Sequence, residues 1–296
     1  MKKIIITGAN GQDGVILSKI LIKNNFKVFG VEPNKENAKN FINREGKILK
    51  DINELFLKCD FIITSLPSLI SYNDVLKEIL KESKFKIKKT IIDMNTISIS
   101  DKLNFKELVK PLNIDLVDCP VSGTGAQAKI ADISVFASGS KLIVNKSMSI
   151  LKAFSKEVIY VGKFGNGMKL KVLANLLVTI HNTAAAEALH LGELAGLSKK
   201  MIYKTLVNSA ATSTMLEKRM PLMMNGKYNP PTASFNIFMK DIDIIRKFIM
   251  DKKTTLPTFE ASSLIYDLAS SKLSNKIDTA AVYEIIKQKG KNNGKK

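Results

Sequence analysis

Apolar, β-type runs alternate with amphipathic segments along the first 162 residues, and this order constrains the fold more than any other feature of the chain. Runs such as KIIIT at 3–7, DFIITSLP at 60–67 and KTIIDMNT at 89–96 predict strands. Between them lie segments such as GVILSKILIKNN, from Gly14, whose apolar residues recur at helical spacing. Strands that alternate with helices predict an α/β domain with a parallel sheet covered on both faces.

The pattern changes after Gly162, where β-type runs almost disappear. The chain is compatible with one continuous helix from about 168 to 196, without a proline. Further helical patterns follow at 199–209, 212–224, 239–252, 258–273 and 278–288. We therefore expect an α/β domain over 1–162, a long interdomain helix, an all-α domain over 163–290, and a disordered lysine-rich tail at 291–296.

The strong positive charge does not by itself indicate a nucleic-acid partner. The net charge is +19, but the only arginines are Arg44, Arg219 and Arg246. Arginine is the residue that reads base edges and binds phosphates through two parallel hydrogen bonds. The lysines are spread along the chain, so we expect no nucleic acid among the partners.

The composition also argues against membrane and metal-binding classes. The sequence has no run of 18 or more apolar residues, so we expect no membrane span. The first residues, MKKIIITGANG, lead into a glycine-rich turn and not into a signal-peptide cleavage site, which favours the cytoplasm. The only cysteines and histidines are Cys59, Cys119, His181 and His190, and they lack metal-ligand spacing, so we expect no metal site.

A glycine-rich turn follows the first predicted strand. In TGANGQDG, three glycines are spaced three residues apart where the strand meets the next helix. Such a turn presents backbone N–H groups and a helix N-terminus to a pyrophosphate. Glu32 ends the second predicted strand, where a carboxylate binds the ribose of NAD and repels the 2′-phosphate of NADP. The sequence thus predicts a Rossmann-type domain that binds NAD through Gly8, Ala9, Asn10, Gly11, Gln12, Asp13, Gly14 and Glu32.

The spelling of this turn also resembles short-chain dehydrogenases, especially those that act on nucleotide sugars. Such an enzyme needs a Tyr-x-x-x-Lys pair near mid-chain. The only such pair is Tyr283 and Lys287, within the last 14 residues. The pair lies too late to reach the nicotinamide, which weakens this alternative.

Five motifs, in one order, resemble the β-hydroxyacid dehydrogenase family, which includes 3-hydroxyisobutyrate dehydrogenase and is related to the NAD-binding domain of 6-phosphogluconate dehydrogenase. The glycine turn is the first, and IDMNTIS at 92–98 is similar to the family's D-x-S-T-I segment. DCPVSGTGAQAKIADISVFASG at 118–139 is similar to its substrate-binding signature. GNGMKLKVLAN at 165–175 and FNIFMKDIDI at 235–244 complete the series.

The resemblance distinguishes between two lysines at the start of the long helix. Lys171 lies six residues after Gly165, at the position of the family's catalytic lysine, whereas Lys169 has no counterpart. Helical geometry agrees, because Lys171, Asn175, Thr179 and Asn182 fall on one polar stripe of an otherwise apolar helix. Burying an ammonium group is costly unless it has a partner, so a chemical role is the better explanation.

The family resemblance implies hydride transfer between a nicotinamide and a small 3-hydroxy acid or semialdehyde. Lys171 would be the general acid/base, and Asn175 would orient the substrate. A small carboxylate substrate would be held by Ser122, Gly123 and Thr124, with Lys240 closing over substrate and cofactor. Leu66, Pro67, Asn95 and Thr96 would line the cofactor site. Asp241 is expected to cap a helix.

Several positions depart from the family pattern. Ala9 replaces the first glycine of the turn, and Asn95 stands where the family has serine. Thr124 replaces a glycine of the carboxylate loop, Gln127 stands where glycine is usual, and Ala174 replaces the first of two asparagines. The changes at 124 and 174 suggest an acid other than 3-hydroxyisobutyrate.

Two further alternatives remain beside the dehydrogenase. One is a catalytically weak or inactive protein that keeps the fold and the cofactor, which gives no reason to retain Lys171. The other is an imine reductase on the same fold, for which an acid or tyrosine is expected at position 171. Two lobes joined by one long helix leave apolar helix faces uncovered, so we also expect a homodimer or homotetramer.

Overall fold

The computed structural model describes residues 3–7, 12–31, 47–48, 59–66, 68–81, 88–123 and 125–293. The chain forms two compact units, Met1–Lys171 and Val172–Lys296. The first unit contains all the described strands together with the shorter helices of the N-terminal half. The described part of the second unit is helical, which confirms the predicted order of an α/β domain, a long helix and an all-α domain.

The first unit is built on a six-stranded sheet whose pairs are all parallel. Its strands lie in the order β3-β2-β1-β4-β5-β6. Their bounds are β1 Lys3–Thr7, β2 Lys27–Val31, β3 Lys47–Ile48, β4 Phe61–Thr64, β5 Lys89–Asp93 and β6 Ile114–Asp118. The chain order reverses between β1 and β4, and ligands of open α/β sheets bind outside the carboxyl ends of the strands at such a point.

Helices cover both faces of this sheet. Successive side chains of a strand point to opposite sides, and in these strands the side chains on both sides are apolar. Ile63 and Ile92 pack on one face with Leu17 and Val144, whereas Ile62, Ile91 and Phe105 belong to the apolar cluster of the other. The helices are α1 Gln12–Lys23, α2 Leu69–Lys81, α3 Ile99–Val109, α4 Gly125–Lys129 and α5 Lys141–Phe154.

A second, smaller sheet was not separated from the first by the sequence pattern. It consists of β7 Val121–Ser122, β8 Ser134–Ala137 and β9 Glu157–Tyr160, in that order. The pair β7 and β8 is antiparallel, and the pair β8 and β9 is parallel. The predicted parallel sheet is therefore the six-stranded one, and these three strands form a separate sheet in which the short segment between β7 and β8 lets the chain reverse direction.

The long helix α6 runs from Asn166 to Leu194, and the division between the two units falls within it. Five more α-helices follow in the described chain, α7 Lys199–Val207, α8 Thr214–Asn225, α9 Phe235–Asp251, α10 Pro257–Lys272 and α11 Val282–Asn293. Among the described residues, α6 is the helix long and apolar enough to cross a membrane by length and composition alone. Its Asn182 is buried and donates to Tyr266 Oη and Thr279 O, as expected of a helix in a protein core.

Candidate active site

Three polar side chains line up at the carboxyl ends of neighbouring strands. The register pairs Thr64 of β4 with Asp93 of β5, and Asp93 with Asp118 of β6. All three are buried, and Thr64 Oγ1 donates to Asp93 Oδ1 over 3.1 Å. A sheet edge that buries two carboxylates needs donors for them, because unpaired buried charges are strongly destabilising.

Asn95 connects this edge to the segment after β4. Its amide Nδ2 donates to Asp93 Oδ1 over 2.6 Å and to Thr64 Oγ1 over 2.8 Å. Its Oδ1 accepts from the backbone N–H of Leu66 over 2.6 Å. Two residues predicted to line the cofactor site, Leu66 and Asn95, are thus hydrogen-bonded to each other, with Thr96 half-buried beside them in the chain.

A lysine closes the same cluster from helix α3. Lys102 is 0% exposed, and its Nζ lies 2.6 Å from Asp118 Oδ1 and 3.2 Å from Asp93 Oδ2. The helix starts with Ser98 as its cap, whose Oγ accepts from the N–H of Asp101 over 3.1 Å. This start places Lys102 on the buried face of α3 together with Phe105 and Val109.

The electrostatics of the cluster keep the lysine charged. Burial lowers the pKa of Lys102, but the nearby Asp118 and Asp93 carboxylates more than offset that effect and raise it above its ordinary value. Burial and the Asp93 carboxylate raise the pKa of Tyr72, whose hydroxyl donates to Asp93 Oδ2 over 3.2 Å. The cluster therefore holds a permanent cation between two carboxylates.

The other oxygen of Asp118 binds the first turn of α6. Asp118 Oδ2 accepts from the N–H of Met168 and from Ser138 Oγ, each over 2.9 Å. Ser138 Oγ in turn accepts from the N–H of Gly167 over 3.0 Å. These bonds satisfy N–H groups that a helix start leaves without partners, and a carboxylate there also complements the helix dipole.

Gly167 is required by the closeness of this contact. A Cβ at that position would lie 2.4 Å from Phe136 O and 2.9 Å from Asp118 Oδ2. The backbone of α6 can therefore approach β6 and β8 only with glycine at this position. Lys171 follows one turn later, so the edge of the sheet fixes the start of the helix that carries it.

The two lysines at the beginning of α6 differ in exposure. Lys171 is half-buried, whereas Lys169 is exposed and its Nζ donates to Asn166 Oδ1 over 3.2 Å. Ser122 and Gly123 follow β6 in the same unit. Gly123 has φ +148°, and a Cβ there would meet Ile133 Cγ2 at 2.5 Å, so this loop also depends on glycine.

The second unit holds its own pair of predicted residues. Asn175 is buried and donates from Nδ2 to Asp241 Oδ2 over 2.9 Å. Lys240 Nζ lies 3.6 Å from Asp241 Oδ1. The expectation that Asp241 caps a helix was wrong, because Asp241 lies inside α9 on its buried face, where its carboxylate binds the Asn175 amide.

Part of the predicted cofactor site lies outside the described residues. This applies to Gly8, Ala9, Asn10, Gly11, Glu32, Pro67 and Thr124 as a whole, and to the side chains of Gln12 and Asp13. Gly14 is buried in α1, and its carbonyl accepts from Ser18 Oγ over 2.6 Å. The described parts fit a dinucleotide, because α1 follows β1 at the switch point and Leu66 and Asn95 follow the next strands at the same edge.

The pair required by the short-chain alternative has other contacts. The Tyr283 hydroxyl donates to Glu193, and burial raises the pKa of Tyr283. Lys287 Nζ lies 5.1 Å from the centroid of the Tyr283 ring and bonds Glu284 Oε2. Both residues belong to α11 of the second unit and not to the unit that contains the sheet. Across the described chain, no group of three histidine, cysteine or acidic residues could hold a metal ion.

Sequence reasoning assigned no role to Lys102, Asp93, Asp118 or Ser138. A signal was present for Lys102, because it shares the apolar face of α3 with Phe105, where a lysine is out of place. Asp93 and Asp118 each end an apolar strand, but the sequence does not show that these strands are neighbours.

Two family models cover most of the chain. Residues 7–162 match the NAD-binding domain of 6-phosphogluconate dehydrogenase. Residues 165–286 match the NAD-binding domain of NADP-dependent 3-hydroxyisobutyrate dehydrogenase. The chain belongs to the β-hydroxyacid dehydrogenase family. It accordingly has the NAD(P)-binding domains of that family, as the sequence predicted.

Named relatives agree with this membership. L-threonate dehydrogenase of Pectobacterium atrosepticum is 29% identical over 231 residues, 77% of this chain and 76% of the relative. Glyoxylate/succinic semialdehyde reductase 1 of Arabidopsis thaliana is 25% identical over 281 residues, 93% and 95% of the two chains. The solved structure of 3-hydroxyisobutyrate dehydrogenase from Mycobacterium tuberculosis superposes with a TM-score of 0.88 at 22% identity, over 97% of this chain and 99% of that one, and shows the same fold.

Proposed function

We propose that the protein is an NAD-dependent dehydrogenase of small 3-hydroxy acids, or the corresponding semialdehyde reductase, with Lys171 as general acid/base. The observation that carries the proposal is the way α6 begins. Asp118, Ser138 and Gly167 fix the first turn of the helix at the carboxyl edge of the sheet, which is the edge where open α/β sheets bind their ligands. A lysine placed one turn after such a contact has a defined position relative to that edge.

The chemistry assigned to the chain's own residues is proton transfer and orientation. A bound nicotinamide supplies the hydride acceptor in oxidation and the hydride donor in reduction. As a neutral amine, Lys171 accepts the hydroxyl proton while the carbinol carbon loses its hydride, which leaves a carbonyl and an ammonium group. In the reverse direction the ammonium group returns that proton to the oxygen.

Asn175 is the residue proposed to orient the substrate. Its Nδ2 is held by Asp241 Oδ2, so the amide cannot rotate freely and its Oδ1 keeps one direction. Helical periodicity places Asn175 one turn after Lys171 on the same side of α6. An amide held in this way can fix the hydroxyl of a substrate at the proton-transferring amine.

The substrate class we propose is a small carboxylate. Ser122, Gly123 and Thr124 would offer N–H and hydroxyl groups to the carboxylate, and the positive net charge would favour the approach of an anion. The names of the relatives, which include an L-threonate dehydrogenase and a semialdehyde reductase, support a hydroxy acid or semialdehyde. The replacements at Thr124 and Ala174 favour an acid other than 3-hydroxyisobutyrate.

We further propose NAD over NADP, because Glu32 ends the second predicted strand and would repel a 2′-phosphate. Lys240 is proposed to contact both substrate and cofactor. We place the enzyme in the cytoplasm and expect neither nucleic acid nor membrane as a partner. A homodimer or homotetramer is supported by Leu173, Leu177 and Leu191, which are all at least 49% exposed on α6.

The experiment that tests the proposal follows NADH and NADPH formation by absorbance across a panel of short 3-hydroxy acids, with the semialdehydes assayed in reverse. We expect turnover with at least one acid and a preference for NAD. In Lys171→Ala, kcat should fall by about 10³-fold while NAD still binds. Lys169→Ala is the matched control and should keep the wild-type rate.

The alternatives predict different outcomes of the same experiment. A cofactor-binding protein without turnover would bind NAD and reduce none of it with any acid of the panel. A short-chain type of enzyme would lose activity in Tyr283→Phe and keep it in Lys171→Ala. Light scattering tests the oligomer, and a monomeric mass would contradict it.

A further inference from the structure

A lysine that the proposed chemistry does not use is fully buried at the carboxyl edge of the sheet. Lys102 is 0% exposed and lies between Asp93 and Asp118, which are also 0% exposed. Two carboxylates and one ammonium group leave the cluster with a net negative charge. Replacing a whole buried ion cluster by well-packed apolar residues often leaves a protein equally stable or more stable. A role of Lys102 in positioning other groups therefore needs to be considered.

The contacts of the two carboxylates are unequal. Asp93 accepts from Thr64, Tyr72 and Asn95 in addition to Lys102. For Asp118 Oδ1, Lys102 is the one hydrogen-bond donor found in the described part of the chain. Asp118 Oδ2 is the oxygen that binds the start of α6. Loss of Lys102 would therefore disturb Asp118 and α6 more than Asp93.

We propose that Lys102 is a positioning residue for the reaction, which fixes the carboxylate of Asp118 and thereby the first turn of the helix that carries Lys171. The inference rests on the proposed function of Lys171 as acid/base. Lys102 touches neither substrate nor cofactor in this account. Its ammonium group holds one oxygen of Asp118 so that the other can accept from Met168 N–H and Ser138 Oγ.

The test compares Lys102→Met with wild type, and the primary readout separates kcat from cofactor binding. We expect kcat to fall by about 10- to 100-fold, because small displacements of a catalytic group cost that much. The dissociation constant of NAD, measured by calorimetry, should change by less than about threefold, since Asp93 keeps its other donors. Equal loss of kcat and of NAD binding would contradict the proposal.

Lys89→Met is the matched control. Lys89 is buried at the opposite end of β5, where its Nζ donates to Cys59 O. The kcat of each variant is referred to the folded fraction, measured by circular dichroism at the assay temperature, so that a loss of stability is not counted as a loss of turnover. A positional effect on α6 should then appear only in Lys102→Met. The proposal is overturned if both variants keep wild-type kcat, or if both lose it alike.

The double variant Lys102→Met/Asp118→Asn keeps the test valid if the single variant folds poorly. An asparagine amide oxygen can still accept from Met168 N–H, and the unpaired carboxylate is gone. We expect the double variant to recover most of the kcat lost in Lys102→Met, because the effects of residues that share one network are not additive. Additive losses in the double variant would contradict the proposed connection.

Hydrogen exchange of the Gly167 and Met168 amides distinguishes this inference from the proposed function. Faster exchange at these amides in Lys102→Met, with no change in Lys89→Met, supports the positioning role whether or not a substrate has been found. Unchanged exchange would overturn it even in an active dehydrogenase. Absence of turnover in wild type, by contrast, would reject the proposed function and leave the exchange result intact.

Discussion

The two ends of strand β5 each bury a lysine, but they bury it in opposite ways. At the amino end, Lys89 Nζ donates to one backbone carbonyl, Cys59 O, and burial lowers its pKa. At the carboxyl end, Lys102 lies between Asp93 and Asp118, which raise its pKa despite burial. Burial therefore disfavours the charge of Lys89, whereas the charge of Lys102 is stabilised by a network of buried carboxylates.

The difference shows where the fold places its precise polar contacts. The network at the carboxyl edge joins the ends of β4, β5, β6 and β8 to helix α3 and to the start of α6. This is the edge at which open α/β sheets bind their ligands. Among the described residues of the first unit, the fully buried ion pairs of Lys102 with Asp93 and Asp118 therefore lie at the edge where the proposed chemistry requires fixed backbone positions.

The largest expected difference between the two ends is in stability. In Lys102→Met, two buried carboxylates lose their shared cation, and the free energy of unfolding should fall by about 3–5 kcal/mol. In Lys89→Met, an apolar chain of similar length replaces an ammonium group whose charge is disfavoured by burial more than it is favoured by the nearby Asp60 carboxylate, and the change should stay within about 1 kcal/mol. Urea unfolding at pH 7 measures both, and equal losses would remove the distinction.

A smaller effect is expected from glycine replacement at the two ends of α6. Gly167→Ala would place a Cβ against the rigid Phe136 carbonyl, so we expect a loss of about 3 kcal/mol. Gly192→Ala would meet Ile202 Cδ1 at 2.6 Å, the end of a flexible side chain. Relief by a rotamer change and better helix propensity should keep that variant within about 1 kcal/mol of wild type. Thermal unfolding of the two variants decides the comparison.

Removal of a buried hydroxyl group should change the free energy of unfolding differently at the carboxyl edge of the sheet and at the amino end of β5. Ser138→Ala removes the acceptor for Gly167 N–H and should cost about 1–2 kcal/mol. Thr90, beside Lys89, has a buried Oγ1 for which the described residues supply no hydrogen-bond partner. Thr90→Val should therefore leave the unfolding free energy unchanged or raise it slightly. A loss in Thr90→Val as large as that in Ser138→Ala would contradict the account.

The smallest expected effects appear at alkaline pH, where the two lysines change the free energy of unfolding in opposite directions. The folded-state pKa of Lys102 is raised above 10.5, so its contribution to stability is complete below that pH and is lost as pH rises through the folded-state pKa. The pKa of Lys89 is lowered from 10.5, so the unfolded chain binds the extra proton and stability rises with pH below that value. Unfolding curves between pH 8 and pH 11 measure both effects. Compared with wild type, the free energy of unfolding of Lys102→Met should lack the loss above pH 10.5, and that of Lys89→Met should lack the gain below pH 10.5.

The order of the elements could be predicted from the sequence because local patterns determine it. The strands Lys3–Thr7 and Lys89–Asp93 match their apolar runs, and α6 matches its uninterrupted helical pattern. Helical spacing and the family motif also favour Lys171 over Lys169 as the acid/base, and this stays a prediction. These signals need no knowledge of which segments are neighbours.

The contacts between distant segments could not be predicted. Lys102 meets Asp93 and Asp118 only because β5 and β6 are adjacent and α3 packs against them, and Ser138 joins through a second sheet that the pattern did not reveal. Asp241 was misread as a cap because its partner, Asn175, is 66 residues away in the sequence. Buried polar residues at such sites carry no local periodic signal.

The most direct test of the central claim is chemical rescue of Lys171→Ala. NADH formation with the best hydroxy acid is measured in the presence and absence of a small primary amine such as methylamine. If Lys171 moves the proton, the variant should bind NAD normally, lose about 10³-fold in kcat, and recover activity in proportion to the free-base amine. Wild-type turnover by Lys171→Ala without any amine would contradict the account.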